Sequence, residues 1–155
     1  MTNWFIMKNI NQRVGVFVDV SNLYHSAKNL YQSKVNFAEL LKTGVAQRQL
    51  IRAFAYVVKA DVAEENNFFE ALRLSGFELK SKDLQIFAGG AKKGDWDIGI
   101  AMDMIELAHK LDTMILVSGD GDFVPLVQHL QRALGCRVEV AAFGKSSSGK
   151  LIEAA

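Results

Sequence analysis

The sequence predicts one α/β domain with a mostly parallel central sheet and helices on both of its faces. First, apolar and partly β-branched segments alternate along the chain with helical patterns of roughly ten to fifteen residues. Second, two of these segments end in aspartates. Third, a chain of 155 residues that is 50% hydrophobic and has one proline can bury a full core and is short enough for one domain.

The individual elements follow from local patterns. Residues 14–18 and 113–117 are apolar and rich in β-branched side chains, which predicts strands buried on both faces. Ser21 is a suitable N-cap for a helix, and glycine is a common helix end. In chain order, the other predicted elements are helices over 22–31 and 37–42, a strand over 49–59, a helix over 61–75, short strands over 77–81 and 84–87 at the sheet edge or in a hairpin, helices over 95–111 and from 122 or 123 to 134, a strand over 136–143 and a loop over 144–149.

The helix predicted over residues 95–111 also receives a predicted orientation. Ile98, Met102 and Ile105 recur at helical spacing, and Ala101 and Ala108 share their face. We therefore expect this face to pack against the sheet.

Composition limits the classes of function. The 18 Lys and Arg nearly balance the 17 Asp and Glu, so any surface that binds phosphate must be local. The single Cys136 excludes an internal disulfide and a thiolate zinc site. No apolar stretch approaches the roughly 20 residues of a membrane span. We expect a soluble cytoplasmic protein, with residues 1–12 as an N-terminal arm and residues 13–155 as the domain.

Four aspartates are expected at one rim of the sheet. Asp19 and the pair Asp120 and Asp122 follow strands, and Asp97 begins a helix; ligands of open parallel sheets bind at the carboxyl ends of strands. Taken singly, each has a structural alternative as a turn residue or N-cap, as for Asp122 ahead of Pro125. Together, converging carboxylates repel one another unless a divalent cation neutralises them. Such a cluster favours Mg²⁺ or Mn²⁺, which prefer oxygen ligands.

That cluster predicts phosphodiester chemistry. Two metal ions held by carboxylates about 4 Å apart activate water and stabilise the leaving oxygen of a phosphodiester. Other enzyme classes fit less well. A P-loop motif and a dinucleotide-binding Gly-x-Gly-x-x-Gly are absent from the sequence. A haloacid dehalogenase-type phosphatase needs a second acid two residues after the first, where Ser21 follows Asp19.

Three segments resemble the signature blocks of a known family. Residues 16–23 (VFVDVSNL), 93–103 (KGDWDIGIAMD) and 116–123 (LVSGDGDF) are similar, in this order and spacing, to the blocks of NYN domains in the LabA-like group of the PIN-like nuclease superfamily. The resemblance spans residues 13–152. It implies a PIN-like, Rossmannoid three-layer sandwich with a mostly parallel sheet.

The resemblance also implies roles for the acids. Asp19 matches the first metal-binding acid, and Asn22 the polar residue that supports it or contacts substrate. Asp97 matches the acid at the head of the helix, although the neighbouring Asp95 can take that place. The pair after the central strand is Asp120 and Asp122.

Two further residues match the family pattern. Ser118 corresponds to a small hydroxyl residue that orients a water or a neighbouring carboxylate. Asp103 follows Asp97 by six residues and therefore points about 120° away around an ideal helix. We assign Asp103, and Asp95 unless it replaces Asp97, to supporting the site from outside the set that contacts metal.

Basic residues near this rim are candidates for binding phosphate. Lys92 and Lys93 lie in a glycine-rich loop ahead of the acidic helix, and Lys145 lies in the loop after the last strand. Phosphate contacts position nucleic acid without reading its sequence, although lysines in loops are often only solvated. Lys80 and Lys82 extend this basic track.

The resemblance implies an Mg²⁺- or Mn²⁺-dependent endoribonuclease that acts on single-stranded or structured RNA and leaves 5′-phosphates. The alternative is a non-catalytic PIN-like module that binds RNA or a protein partner in a regulatory role. The apolar residues 4–7 and the resemblance together predict a homodimer.

Overall fold

The computed structural model describes residues 9–22, 36–60, 65–86, 88–89, 92–93, 95–142 and 153–155. Most of the predicted arm, nearly all of the predicted helix over 22–31 and the predicted loop that carries Lys145 lie outside these residues. The main sheet has five strands, β1 (Arg13–Asp19), β2 (Gln49–Lys59), β3 (Glu78–Asp83), β6 (Thr113–Val117) and β7 (Arg137–Ala141), and a separate ribbon pairs β4 (Gln85–Ile86) with β5 (Lys92–Lys93).

All pairings in the main sheet are parallel, in the order β3-β2-β1-β6-β7. The chain thus builds outward from β1 to β3, returns to the other side of β1 and continues to β7. Such a reversal creates a crevice between the carboxyl ends of the two strands that flank it, where ligands bind in open α/β sheets. Here those strands are β1 and β6, and the predicted mostly parallel sheet is confirmed.

Helices cover both faces of the sheet, because its strands are apolar on both faces. Side chains alternate along β1, so that Phe17 faces one hydrophobic cluster, while Val16 and Val18 face the other. The helices are α1 (Phe37–Val45) and α2 (Glu65–Leu74) on the side of Val16, and α3 (Asp97–Leu107) and α4 (Val124–Arg132) on the side of Phe17, with 3-10 turns at Ala108–Lys110 and Gly121–Phe123.

The predicted buried face of the helix over residues 95–111 was wrong for its three large side chains, although Ala108 is buried and Ala101 packs against the core as expected. Ile98, Met102 and Ile105 are 76%, 65% and 43% exposed, whereas Ile100 and Met104 are fully buried. Apolar residues occur on both faces of this helix, so their spacing indicates a helix without indicating which face turns inward. Tertiary contacts at the start and middle of α3, described below, determine its rotation.

The two short strands predicted before α3 do not form a hairpin with each other. β3 joins the edge of the main sheet in parallel with β2, while β4 pairs antiparallel with β5. Of the helices in the described ranges, not one has both the length and the apolar character needed to cross a bilayer.

Candidate metal-binding site

The carboxyl ends of β1 and β6 are joined through Asn22. The backbone N–H of Gly119 donates to the side-chain Oδ1 of Asn22 at 2.9 Å, and the backbone N–H of Asn22 donates to Asp19 Oδ1 at 3.4 Å. Asp19 ends β1 and Gly119 follows β6, so these bonds hold together the two sides of the crevice at the reversal point. Asn22 therefore positions Asp19 relative to the turn after β6.

The turn after β6 directs two carboxylates toward the same place. The fully buried Ser118 accepts from the Asp120 amide through Oγ at 3.3 Å, and Asp120 Oδ1 accepts from the Asp122 amide at 2.9 Å. Asp120 thereby caps the 3-10 turn Gly121–Phe123. The structural alternative of a cap by Asp122 is replaced by a cap from Asp120.

The third carboxylate comes from the first turn of α3. Asp97 Oδ, Asp120 Oδ and Asp122 Oδ each contribute one oxygen to a set in which all atoms lie within 4.8 Å of one another. Asp95 is exposed, lies outside this set and accepts from the Asp97 amide at 3.2 Å. Of the two acids that the sequence left open for this place, the structure therefore brings Asp97 to the pair after β6.

Asp19 lies beside this set rather than within it. Its side chain is nearly buried, with a residue exposure of 7%, and its pKa is raised to about 6, mainly by burial and further by the charges of Asp120 and Asp95. Hydrogen bonds from the Asn22 amide and Ser118 oppose that rise. Asp19 is thus close enough to Asp120 to sense its charge.

The acids of this rim are electrostatically strained in the absence of a cation. Burial raises the pKa of Asp97 to about 7, and the charges of Asp120, Asp95 and Asp19 contribute to the rise. Within the described ranges, no Lys or Arg forms an ion pair with any of these carboxylates. Uncompensated carboxylates with only oxygen donors fit a hard divalent cation such as Mg²⁺ or Mn²⁺.

We expect the metal-free protein to lose stability as pH rises. Asp19 and Asp97 bind protons more tightly when folded than at the ordinary pKa of 3.8, so their contribution to the free energy of unfolding is present below about pH 4 and lost as pH rises through about 6 to 7. Urea denaturation in EDTA at pH 5 and pH 8 measures the effect. Asp97→Asn should be more stable relative to wild type at pH 8 than at pH 5; an unchanged difference would contradict the strained cluster.

Trp96 attaches the start of α3 to the sheet. Its Nε1–H donates to the Val57 carbonyl at 2.8 Å, and its ring lies 5.4 Å from the Tyr56 ring between centroids. On the helix side, Gly99 leaves room for the ring: a Cβ there would lie 2.5 Å from Trp96 Cε3. The adjacent Asp97 is consequently held in place by this aromatic residue.

Asp103 does not join the acid cluster. Its Oδ2 accepts from the Tyr56 hydroxyl at 2.8 Å and from Lys80 Nζ at 2.6 Å. Burial and the Asp103 carboxylate raise the pKa of Tyr56, which keeps the phenol protonated. These contacts bind the middle of α3 to β2 and β3. Sequence reasoning missed Tyr56, because a tyrosine in an apolar strand carries no local signal of its partner.

The predicted phosphate-binding lysines are only partly described. Lys92 and Lys93 form β5, whose backbone pairs with Ile86 and Gln85, and their side chains are not among those described. Lys145 lies outside the described residues.

Comparisons with known proteins agree with this architecture. The NYN domain family model matches residues 13–155. The low amplitude and bright protein LabA of Synechococcus elongatus is 25% identical over 126 residues, which cover 77% of this chain and 68% of LabA. The crystal structure of a protein of unknown function from Vibrio parahaemolyticus is 33% identical, with a TM-score of 0.87 over 97% of this chain and 93% of that chain.

These matches extend over the strands and turns that carry the acids. The family model covers β1, α3 and β6, and the structural neighbour shares the fold across nearly the whole chain. NYN domains are part of the PIN-like nuclease superfamily, and the chain holds a cluster of three acids at the expected edge of the sheet. The chain belongs to the NYN domain family, in its LabA-like group.

Proposed function

We propose that this protein is a ribonuclease that depends on Mg²⁺ or Mn²⁺ and hydrolyses RNA phosphodiesters internally, leaving 5′-phosphates. Asp97, Asp120 and Asp122 would hold the cation, and Asp19 would complete the site from the end of β1. Asn22 and Ser118 keep these acids in place. Membership in a family of PIN-like nucleases supports the reaction class.

One observation carries the proposal. Three carboxylates from separate elements, α3 and the turn after β6, each place an oxygen within 4.8 Å of the others, at the edge of the sheet where the strand order reverses. Holding like charges together there costs free energy, as the raised pKa values of Asp19 and Asp97 indicate. A divalent cation offsets this cost.

The chemistry follows from the charge of that site. Held by Asp97, Asp120 and Asp122, a divalent cation would supply Lewis-acid chemistry for activating water and stabilising charge on the leaving 3′ oxygen. The chain itself contributes preorganisation: Asn22 joins the ends of β1 and β6, and Trp96 holds the first turn of α3. Because Asn22 and Trp96 hold the carboxylates in place before substrate binds, little reorganisation of the site is needed during the reaction.

We expect labelled single-stranded RNA to be cleaved when Mn²⁺ or Mg²⁺ is present and to remain intact in EDTA, because without a cation the acids repel the phosphates. The products, separated on a denaturing gel, should carry 5′-phosphates and include internal fragments. Re-addition of metal after EDTA treatment should restore cleavage. Metal-independent cleavage would contradict the proposal and point to a contaminant.

Binding of RNA without cleavage, with every metal tested, would instead favour the non-catalytic regulatory module. The homodimer, the cytoplasmic location and the phosphate contacts by Lys92, Lys93 and Lys145 stay predictions from the sequence. Sedimentation analysis tests the homodimer, and substitution of the lysines tests the phosphate contacts.

A further inference from the structure

The edge strand β3 carries two lysines in different electrostatic states. Lys80 and Lys82 are two residues apart, so both side chains extend from the same face of the sheet. Lys80 Nζ lies 2.6 Å from Asp103 Oδ2, so its charge is neutralised. Lys82 is exposed, and no carboxylate in the described part of the chain forms an ion pair with it.

The ammonium group of Lys82 is held by an aromatic ring instead. Its Nζ lies 4.5 Å from the centroid of the Trp96 ring, within the range of a cation–π interaction. The ring attracts the cation without cancelling its charge or occupying all of its N–H donors. Trp96 is itself fixed by its bond to the Val57 carbonyl and by Gly99. Lys82 is therefore a positioned cation that still has donors for an anion.

Lys82 lies at the same edge of the sheet as the acids of the candidate metal-binding site. Trp96 lies between Asp95 and Asp97 in the chain, and Lys82 is the penultimate residue of β3. β3 runs parallel to β1 and β6, so its end belongs to the same edge of the sheet as the candidate metal-binding site. A rim of aspartates repels the phosphates of an RNA backbone. A cation on the same edge of the sheet would therefore increase the affinity for RNA bound there.

We propose that Lys82 binds a backbone phosphate of single-stranded RNA that lies across the acid cluster, and that Trp96 is the positioning residue that holds Lys82 there. This inference rests on the proposed function. It assigns Lys82 to substrate binding, so its loss should raise KM and leave kcat unchanged. Lys80, by contrast, is paired with the Asp103 carboxylate and is not assigned to substrate binding.

The test measures RNA binding without cleavage, by fluorescence anisotropy of a labelled single-stranded oligonucleotide in Mg²⁺, with Asp120→Asn as the parent. Lys82→Met keeps the length of the side chain and its contact with the ring while removing the charge. Its affinity should be about five- to tenfold weaker at low salt, and the slope of log affinity against log salt should flatten by about 0.7, the loss of one phosphate contact. Lys82→Arg should retain both.

The matched control is Lys110→Met. Lys110 is also exposed, but it precedes β6 and therefore lies at the amino edge of the sheet. The RNA affinity and salt slope of Lys110→Met should equal those of the parent. Trp96→Leu should flatten the salt slope as Lys82→Met does. The double variant should show no further flattening, because both substitutions remove the same contact between Lys82 and phosphate.

The outcomes separate the two proposals. Wild-type protein that neither binds nor cleaves single-stranded RNA in Mg²⁺ would overturn both this inference and the proposed function. A parent that binds RNA while Lys82→Met shows the same affinity and salt slope would overturn only the assignment of Lys82. An equal loss in Lys110→Met would also overturn it, because net charge rather than position would then explain the effect. In the cleavage-competent protein, a fall in kcat without a change in KM for Lys82→Met would do the same.

Discussion

Asp120→Asn should abolish metal-dependent RNA cleavage, lowering kcat/KM by more than about 100-fold. Residues that only support metal ligands typically cost about 10- to 100-fold when removed, and a direct ligand costs more. Asp120 is the acid with the most connections: it belongs to the three-carboxylate set, caps the following turn and raises the pKa of both Asp19 and Asp97. Single-turnover cleavage measures the loss of activity, and calorimetric titration with Mn²⁺ measures the accompanying loss of metal affinity.

The substitution is chosen to leave the fold intact. An asparagine oxygen can still accept from the Asp122 amide, so the cap is kept while one charge is removed. Relief of repulsion worth about 1 kcal/mol should raise the melting temperature of the metal-free protein by about 2–4 °C.

The matched control is Asp112→Asn, the same change just before β6 rather than just after it. Asp112 pairs with Arg13 on the surface, so its loss should cost at most about 1 kcal/mol of stability and leave cleavage unchanged. Full activity in a folded Asp120→Asn would show that the acids after β6 are not the catalytic site.

Gly99→Ala should impair the protein although alanine is the better helix former. The added Cβ would lie 2.5 Å from Trp96 Cε3 and 3.0 Å from Cζ3, and the ring is held on its other sides by Tyr56 and the Val57 carbonyl. Overpacking of this kind costs about 1–3 kcal/mol. Displacing Trp96 moves Asp97, and a misplacement of about 1 Å can cost about 100-fold in rate.

Gly44→Ala is the matched control in another helix. A Cβ at Gly44 would lie 3.6 Å from Ile115 Cδ1, an ordinary contact, so alanine should stabilise α1 by about 0.5–1 kcal/mol and leave cleavage unchanged. Thermal denaturation and cleavage of both variants provide the comparison. A Gly99→Ala protein that is stabilised and fully active would show that Trp96 does not constrain Asp97.

Several features could be predicted from the sequence because they depend on local pattern. The buried strands β1 and β6 are runs of apolar, β-branched residues, and such runs specify strands covered on both faces wherever they occur. Asp19 ends β1, and Asp120 and Asp122 lie in the turn after β6, so a parallel sheet brings them to one edge. The family block around Asp97 indicates the fourth acid from sequence alone.

Other features depend on partners that are distant in the chain. Arg48 is buried, and its guanidinium binds both oxygens of Glu139 at 2.8 Å, a pairing across 91 residues that no local pattern indicates. The rotation of α3 was predicted wrongly for the same reason: Ile98 and Met104 are both apolar, and the contacts of the helix with β2 and β3 decide which one is buried.

The sequence by itself therefore determined the fold class, the family and the residue types at the rim, since periodicity, turn residues and motif spacing are local properties of the chain. Only the tertiary structure decided which acids share one position, that Asp97 rather than Asp95 meets the pair after β6, and that Lys80 is neutralised while Lys82 keeps its charge. These outcomes depend on distances between side chains far apart in sequence, and packing of the complete core sets those distances.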